Sequence, residues 1–258
     1  MKFVWDINPV LFSIFGLDIR WYGLAYIAGF FLALFLVPEL AKRNGLKIAK
    51  NDFENLLFGT FLSGIIGGRL GFFLFYSPET FSTNVLEIFR VWHGGMSIHG
   101  GILGAVLFGL VWAKFYKISA LKVFDTLVLP LAIALGLGRI ANFMNGELVG
   151  IPTNQTWGII FPHVDNLLRH PSQFYEAGKN FILAIILFSL WHKNHGKKTG
   201  FLSVAFLLGY GIMRSGIEFF REPTTQFLEI STGQFLSLIF ILIALLLAFS
   251  RNFWKTKS

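Results

Sequence analysis

The stretch Gly138-Arg139-Ile140-Ala141-Asn142-Phe143-Met144-Asn145-Gly146-Glu147-Leu148-Val149-Gly150-Ile151-Pro152 decides how this chain is read. An arginine, two asparagines and a glutamate, punctuated by glycines, close an apolar run long enough to cross a bilayer. Ionisable groups at the end of such a run are costly to bury, and by default they mark a binding or catalytic site. Arg139 and Asn142, at i and i+3, share a helix face. Asn145-Gly146 then reads as a left-handed helix stop.

Working outward, the rest of the chain is of the same kind. Its 258 residues are 54% hydrophobic, 17% aromatic and only 14% charged, with a mean hydropathy of +0.63. That composition excludes an ordinary soluble domain. Seven runs approach the roughly 20 residues that span a hydrocarbon core: about 21–38, 54–76, 96–114, 121–140, 173–191, 201–220 and 233–250. The expected fold class is an all-α polytopic membrane protein of seven transmembrane helices. No low-complexity linker divides the chain, so residues 1–258 are expected to form a single transmembrane bundle. Residues 142–172 are inserted between spans 4 and 5 as a small extracytoplasmic cap with a short strand. Residues 77–95 are a second structured piece at that surface, and Val10 to Phe15 is expected to lie flat in the interface. Glycine-rich faces such as Gly64-Ile65-Ile66-Gly67-Gly68 and Gly100-Gly101-Ile102-Leu103-Gly104 predict close helix packing. The echo between Gly68-Arg69-Leu70 and Gly138-Arg139-Ile140 does not extend into the flanks, so no duplication is read from it.

Basic residues gather in alternate loops: Lys42, Arg43, Lys47 and Lys50; Lys114, Lys117 and Lys122; Lys193, Lys197 and Lys198; Arg251, Lys255 and Lys257. The positive-inside rule then places the N-terminus outside and the C-terminus in the cytoplasm. It also accounts for the net charge of +8 without a nucleic-acid partner. Met1 to Arg20 lacks the order of a signal peptide and is expected to be retained. With no cysteine in the chain, any thiol chemistry must use a substrate's sulfur.

That orientation gives each unusual residue a depth. Arg69 and Arg139 fall late in outward-running spans, as do Tyr210, Arg214 and Glu218; His99 and Tyr26 fall early in inward-running ones, and Gln173, Tyr175 and Glu176 open another. All land in the outer half, which predicts one shared polar cavity facing the outer leaflet. Tyr210, Arg214 and Glu218, at i, i+4 and i+8, form a single helical stripe. His99 sits in Trp92-His93-Gly94-Gly95-Met96-Ser97-Ile98-His99-Gly100-Gly101 and, with a reference pKa of about 6.5, suits acid–base work. No zinc site is expected, since His93 and His99 lack the spacing of a helical ligand pair.

Each residue also has an ordinary reading. Arg214 and Glu218 fit a self-satisfied ion pair, Arg139 a side chain reaching to headgroups, Tyr26 an aromatic belt, and Ser172 with Glu176 a helix N-terminus. On these residues alone an enzyme, an anion transporter and a lipid-binding scaffold stay open. The lack of a repeat and the off-centre polar groups count against a transporter.

The quoted stretch resembles the signature of the bacterial prolipoprotein diacylglyceryl transferases, G-R-x-x-N-F-x-N-[GS]-E-x-x-G-x-P. Similar to that family too, and in the same order, are Arg20 to Tyr26, Gly68-Arg69-Leu70-Gly71, His93 to Gly101, His170 to Glu176, and Tyr210 to Pro223. The resemblance implies an inner-membrane enzyme without a cofactor, its active site toward the outer leaflet. It moves a diacylglyceryl group from phosphatidylglycerol to the lipobox cysteine of a preprolipoprotein signal peptide. It also implies that Tyr26, His99, Arg139, Asn142, Glu147, Gly150, Tyr210, Arg214 and Glu218 matter. The expected catalytic set is His99 as base, Arg139 and Arg214 on the phosphate, and Tyr26, Glu147 and Glu218 in support. A thiol pKa lowered by the arginines would make a dedicated base unnecessary. Arg139, Asn142, Arg214, Tyr210, Gly150 and Arg69 are expected to bind phosphatidylglycerol.

Overall fold

In the computed structural model the apolar runs are helices. The structure describes residues 3–14, 17–90, 93–194, 198–222, 226–227 and 230–251. Lys2, Phe15, Trp92, Lys197, Pro223, Lys255 and Lys257 lie outside the described residues.

In chain order the elements are strands β1 (Phe3–Val4), β2 (Val10–Ile14) and β3 (Leu17–Arg20), helices α1 (Trp21–Arg43), α2 (Lys50–Phe75) and α3 (Pro78–Thr83), and a 3-10 turn at Val85–Phe89. Helices α4 (Ile98–Phe115) and α5 (Ala120–Met144), strands β4 (Ile159–Ile160) and β5 (Leu168–Arg169), and helices α6 (Ser172–Asn194) and α7 (Phe201–Glu218) follow. Strands β6 (Gln226–Phe227) and β7 (Ile230–Ser231) and helix α8 (Thr232–Ser250) complete the order. Seven of the helices, all except α3, are long and apolar enough to cross a membrane, and the chain is a multi-pass helical membrane protein.

Two helix ends run past the apolar stretches. Helix α1 continues through Pro38 to Arg43, whose Nε meets Glu39 Oε1 at 2.6 Å, and α2 starts at Lys50, 3.7 Å from Glu54. Charged pairs at i, i+4 prolong a helix into water where hydropathy no longer signals it.

The chain divides into two compact units, Met1–Leu36 with Asp125–Ser258, and Val37–Phe124. In the first, α7 packs against α6 and α8. Val204, Ala244 and Ala248 are buried there beside Leu207, Leu208 and Leu247. The amino end of α7 begins at Gly200, which has no side chain to cap it. A buried carboxylate from α5 does so instead: Asp125 accepts from the Gly200 amide at 2.6 Å and from the Ser203 amide and hydroxyl at 2.7 Å each.

The segment between α5 and α6 carries the expected strand, and it is paired from a distance. Strand β4 pairs antiparallel with β5 and parallel with β1, in the register Phe3↔Ile159. Beneath this small sheet Phe143, Val149, Ile159 and Phe161 are buried against Trp5 and Met144. The Trp5 indole donates to the Phe143 carbonyl at 3.0 Å, tying this sheet to the end of α5. The Val10 to Ile14 run is one strand of a hairpin with β3, closed by a 2.7 Å bond from Ser13 Oγ to Asp18. Its β-branched and aromatic residues suit a strand better than a helix.

In the second unit α2 and α4 meet through their glycine faces. A Cβ on Gly67 would lie 3.1 Å from Gly104 Cα, and one on Gly71 would lie 2.9 Å from Gly100 Cα. Only glycines let these backbones approach so closely. Ser97 caps α4, accepting from the Gly100 amide at 3.3 Å, and its own amide donates to the Gly68 carbonyl at 2.9 Å.

Candidate active site

Helix α5 ends on a tight stop that aims the signature residues. Gly146 has φ +68, its amide donates to the Phe143 carbonyl at 2.9 Å, and the Glu147 amide donates to the Asn142 carbonyl at 2.8 Å. This is the paired bonding of a Schellman stop, as Asn145-Gly146 predicted. Leu148 is also left-handed, at φ 56, which costs a residue with a Cβ about 1–2 kcal/mol. The first turn of α6 holds the turn in place. Gln173 Nε2 donates to the Glu147 carbonyl at 2.6 Å, and Ser172 Oγ to the Leu148 carbonyl at 2.9 Å.

The chain so turned brings Glu147 back over Asn142. Asn142 Nδ2 donates to Glu147 Oε2 at 3.4 Å, Asn145 Nδ2 to Glu147 Oε1 at 3.2 Å, and Arg139 Nη1 to Asn142 Oδ1 at 3.4 Å. The Tyr210 ring lies beside the same group of charges, its centroid 3.8 Å from Lys179 Nζ. Tyr26 packs edge-on to Tyr22, with ring centroids 5.0 Å apart.

Glu176 is the centre of the first unit's charges. Only 1% exposed, it has Arg214 Nη1 at 3.0 Å and Arg221 Nη1 at 3.6 Å from Oε1, and Lys179 Nζ at 3.3 Å and Arg139 Nε at 3.7 Å from Oε2. Arg214 is paired as well with Glu218, whose Oε1 accepts from Ser231 Oγ at 2.7 Å. Ser231 Oγ also caps α8. Gly233 lets α8 start against this pair, since a Cβ there would lie 2.6 Å from Arg214 Nη2. Four cations thus surround two carboxylates, leaving positive charge in excess. Burial first, then Arg214 and Arg139, hold the Arg221 guanidinium below the usual arginine range. Arg139 is the most open of the four, with 21% of its side chain exposed against 10% or less for the others. These are the makings of an anion site. Among the described residues no group of three or more histidines, aspartates or glutamates could hold a metal ion.

A family model described as prolipoprotein diacylglyceryl transferase matches residues 9–250. The chain belongs to the prolipoprotein diacylglyceryl transferase family. Curated relatives named phosphatidylglycerol–prolipoprotein diacylglyceryl transferase agree. The protein of Geobacter sulfurreducens is 41% identical over 94% of both chains. That of Desulfotalea psychrophila is 42% identical over 98% of this chain and 96% of its own. That of Nitrosomonas europaea is 44% identical over 90% and 85%.

For this member of the transferase family, the structure brings Arg139, Asn142, Glu147, Tyr210, Arg214 and Glu218 together in one unit, with Tyr26. Gly150 has a backbone task there. Its amide donates to the His170 carbonyl at 2.9 Å and its carbonyl accepts from Arg169 Nη1 at 2.9 Å, so both of its polar groups are engaged. A Cβ would lie 2.6 Å from the His170 oxygen. Arg169 in turn grips Asp165 and, at 2.6 Å, Glu222.

Arg69 and His99 belong to the second unit. Arg69, expected to bind lipid, gives its guanidinium to the loop after α3 instead. Nε donates to the Ile88 carbonyl at 3.1 Å, Nη1 to Gly94 and to Gly95 at 2.9 Å, and Nη2 to Glu87 at 2.5 Å and Arg90 at 3.0 Å. An arginine has five N–H groups, and all five are engaged. The same loop carries Glu87, whose carboxyl His93 and then Arg90 hold below the usual range. His99 is exposed in the first turn of α4.

Lys179 and Arg221 are the site residues that sequence reasoning did not single out; Glu176 was placed in the shared cavity, with a helix N-terminus as its ordinary reading. The available signal was Glu176 and Lys179 at i, i+3 inside an apolar span, where charges pair or work.

Proposed function

We propose that this chain transfers the sn-1,2-diacylglyceryl group of phosphatidylglycerol to the lipobox cysteine thiol of preprolipoproteins, the first step of lipoprotein maturation in the bacterial cytoplasmic membrane. The products are a thioether and glycerol 1-phosphate. The observation that carries this reading, within the family, is the excess of cations around Glu176. The thiol, with a reference pKa of about 8.5, is mostly protonated at neutral pH. As it gives up its proton, sulfur attacks the glyceryl carbon that bears the phosphate. The C–O bond breaks, and the electron pair leaves with the phosphate, whose charge grows from about −1 to −2. Arg139 and Arg214 hold the phosphate as monoanion and stabilise it better as it leaves, because fixed cations act most on the charge that develops. Asn142, Tyr26 and Tyr210 bind the headgroup, Glu147 orients Asn142, and Glu218 orients Arg214. His99 is the candidate base, its open imidazole suiting that task. The active site faces the outer leaflet, where exported precursors present their lipobox.

The test is purified protein in phosphatidylglycerol vesicles with a lipobox peptide, following peptide mass and glycerol phosphate release. The parent should add one diacylglyceryl mass per phosphate released. A folded Arg139→Ala variant should do neither, and His99→Ala should lose its rate most at low pH, where fewer thiols ionise unaided. A folded parent that yields no lipidated peptide would end the proposal.

A further inference from the structure

Lys179 is a buried cation of the Glu176 cluster that the reaction above leaves without a task. Its side chain is 4% exposed, so it cannot meet the lipid. Its Nζ donates to Asn180 Oδ1 at 2.9 Å, lies 3.3 Å from Glu176 Oε2, and sits 3.8 Å from the centroid of the Tyr210 ring. Glu176 Oε2 also meets Arg139, whose Nε lies 3.7 Å from it. Lys179 and Arg139 therefore share one carboxylate oxygen. Lys179 is the closer cation on it.

We propose that Lys179 is a positioning residue for Arg139. By sharing Glu176 Oε2 it keeps that carboxylate from drawing the Arg139 guanidinium into a closed ion pair, and by lying against the Tyr210 ring it holds itself in that place. The Arg139 fork is thereby left turned toward the phosphate. Lys179 also keeps the cluster positive. Without it, three cations would face the two carboxylates Glu176 and Glu218, and the excess that suits a dianionic leaving group would shrink.

This inference rests on the transferase reading, and its test separates the two. Lys179→Met keeps the stem and removes the charge. The double variant Lys179→Met with Glu176→Gln removes one charge of each sign, so the excess returns to that of the parent. In the vesicle assay Lys179→Met should raise KM for phosphatidylglycerol and weaken inhibition by glycerol 1-phosphate, each by at least about tenfold, since a misplacement of about 1 Å can cost about 100-fold. The double variant should recover most of both losses. A purely structural lysine predicts the opposite order, with the double variant the worse. Unchanged KM and inhibition in folded Lys179→Met would overturn the proposal, as would a double variant no better than the single. If Lys179→Met does not fold, the double variant decides alone: near-parental inhibition by glycerol 1-phosphate supports the proposal, and its loss refutes it. Failure of the transferase reading would show differently, as a parent protein that lipidates no peptide.

Discussion

Replacing Glu176 by glutamine is the sharpest perturbation of this protein, because it removes the charge on which four cations converge at 3.0–3.7 Å. At an effective dielectric of about 20, each attraction is about 5 kcal/mol before the cost of burying the charges. Burial offsets most of that sum, and removing one partner of a buried ionic group leaves a net loss of about 3–5 kcal/mol. The carboxylate is 1% exposed, so solvent screening does not reduce the figure. For a chain of this size each kcal/mol moves Tm by about 2–4 °C, which puts folded Glu176→Gln about 6–20 °C below the parent. The assay is thermal unfolding in phosphatidylcholine nanodiscs, with and without inorganic phosphate. Phosphate should raise Tm more in the variant than in the parent, since it supplies the missing anion; at 100 times its Kd it contributes about 2.7 kcal/mol. A variant that melts within about 2 °C of the parent, less than a single kcal/mol would produce, would refute the reasoning. It would mean that the cations do not depend on this carboxylate.

Gly150→Ala should lower stability by about 1–3 kcal/mol through overpacking, because its Cβ would meet the His170 carbonyl at 2.6 Å; thermal unfolding of the full chain checks this, and an unchanged Tm counts against the close crossing. Arg69→Leu should release the 87–95 loop, which limited proteolysis reads as new cleavage there; a loop as resistant as the parent's would show that the five carbonyl bonds are dispensable. The Asp165–Arg169 link sets an acid limit on the segment between α5 and α6. The guanidinium of Arg169 holds the Asp165 carboxyl below its usual value, so its stabilisation is complete above the unfolded pKa of about 3.9 and is lost as pH falls through the lower folded value. Hydrogen exchange at the Leu167 amide, which donates to Asp165 at 3.1 Å, should stay protected from pH 7 to about pH 4. Loss of protection already between about pH 7 and 5 would contradict the assignment.

How much of this was legible in sequence follows from the range of the forces involved. The seven spans were, because hydropathy over a helix is a local sum. So was the stop of α5, because Asn145-Gly146 writes a left-handed turn into adjacent residues. The short strand between α5 and α6 was expected, but its parallel pairing with Phe3–Val4 was not, because that partner lies at the far end of the chain. Arg139, Asn142, Arg214 and Glu218 stood out as polar groups in apolar runs. Glu176 was placed with them by depth, but a carboxylate in the first turns of a helix has a sufficient local explanation, and only tertiary packing adds Arg139, Arg214 and Arg221 to it. Arg69 looked like a lipid ligand for the converse reason. Its depth was readable, but the backbone carbonyls that engage it come from a loop 18–26 residues away.

The backbone around Arg139 explains why such a site needs little adjustment when a substrate arrives. Two left-handed residues, Gly146 and Leu148, and a glycine crossing at Gly150 fall within five positions, and relaxed chains do not place such features together by chance. They persist because α6 bonds the turn from outside, through Ser172 and Gln173 to the carbonyls of Leu148 and Glu147. The same first turns of α6 carry Glu176 and Lys179. One rigid element therefore fixes both the turn that sets Asn142 and Glu147 and the charges that set Arg139. Donors held this way are already aimed before charge develops on the leaving phosphate, so no reorganisation is charged to the reaction. The local strain at Leu148, about 1–2 kcal/mol, is small beside what a misaimed arginine would lose.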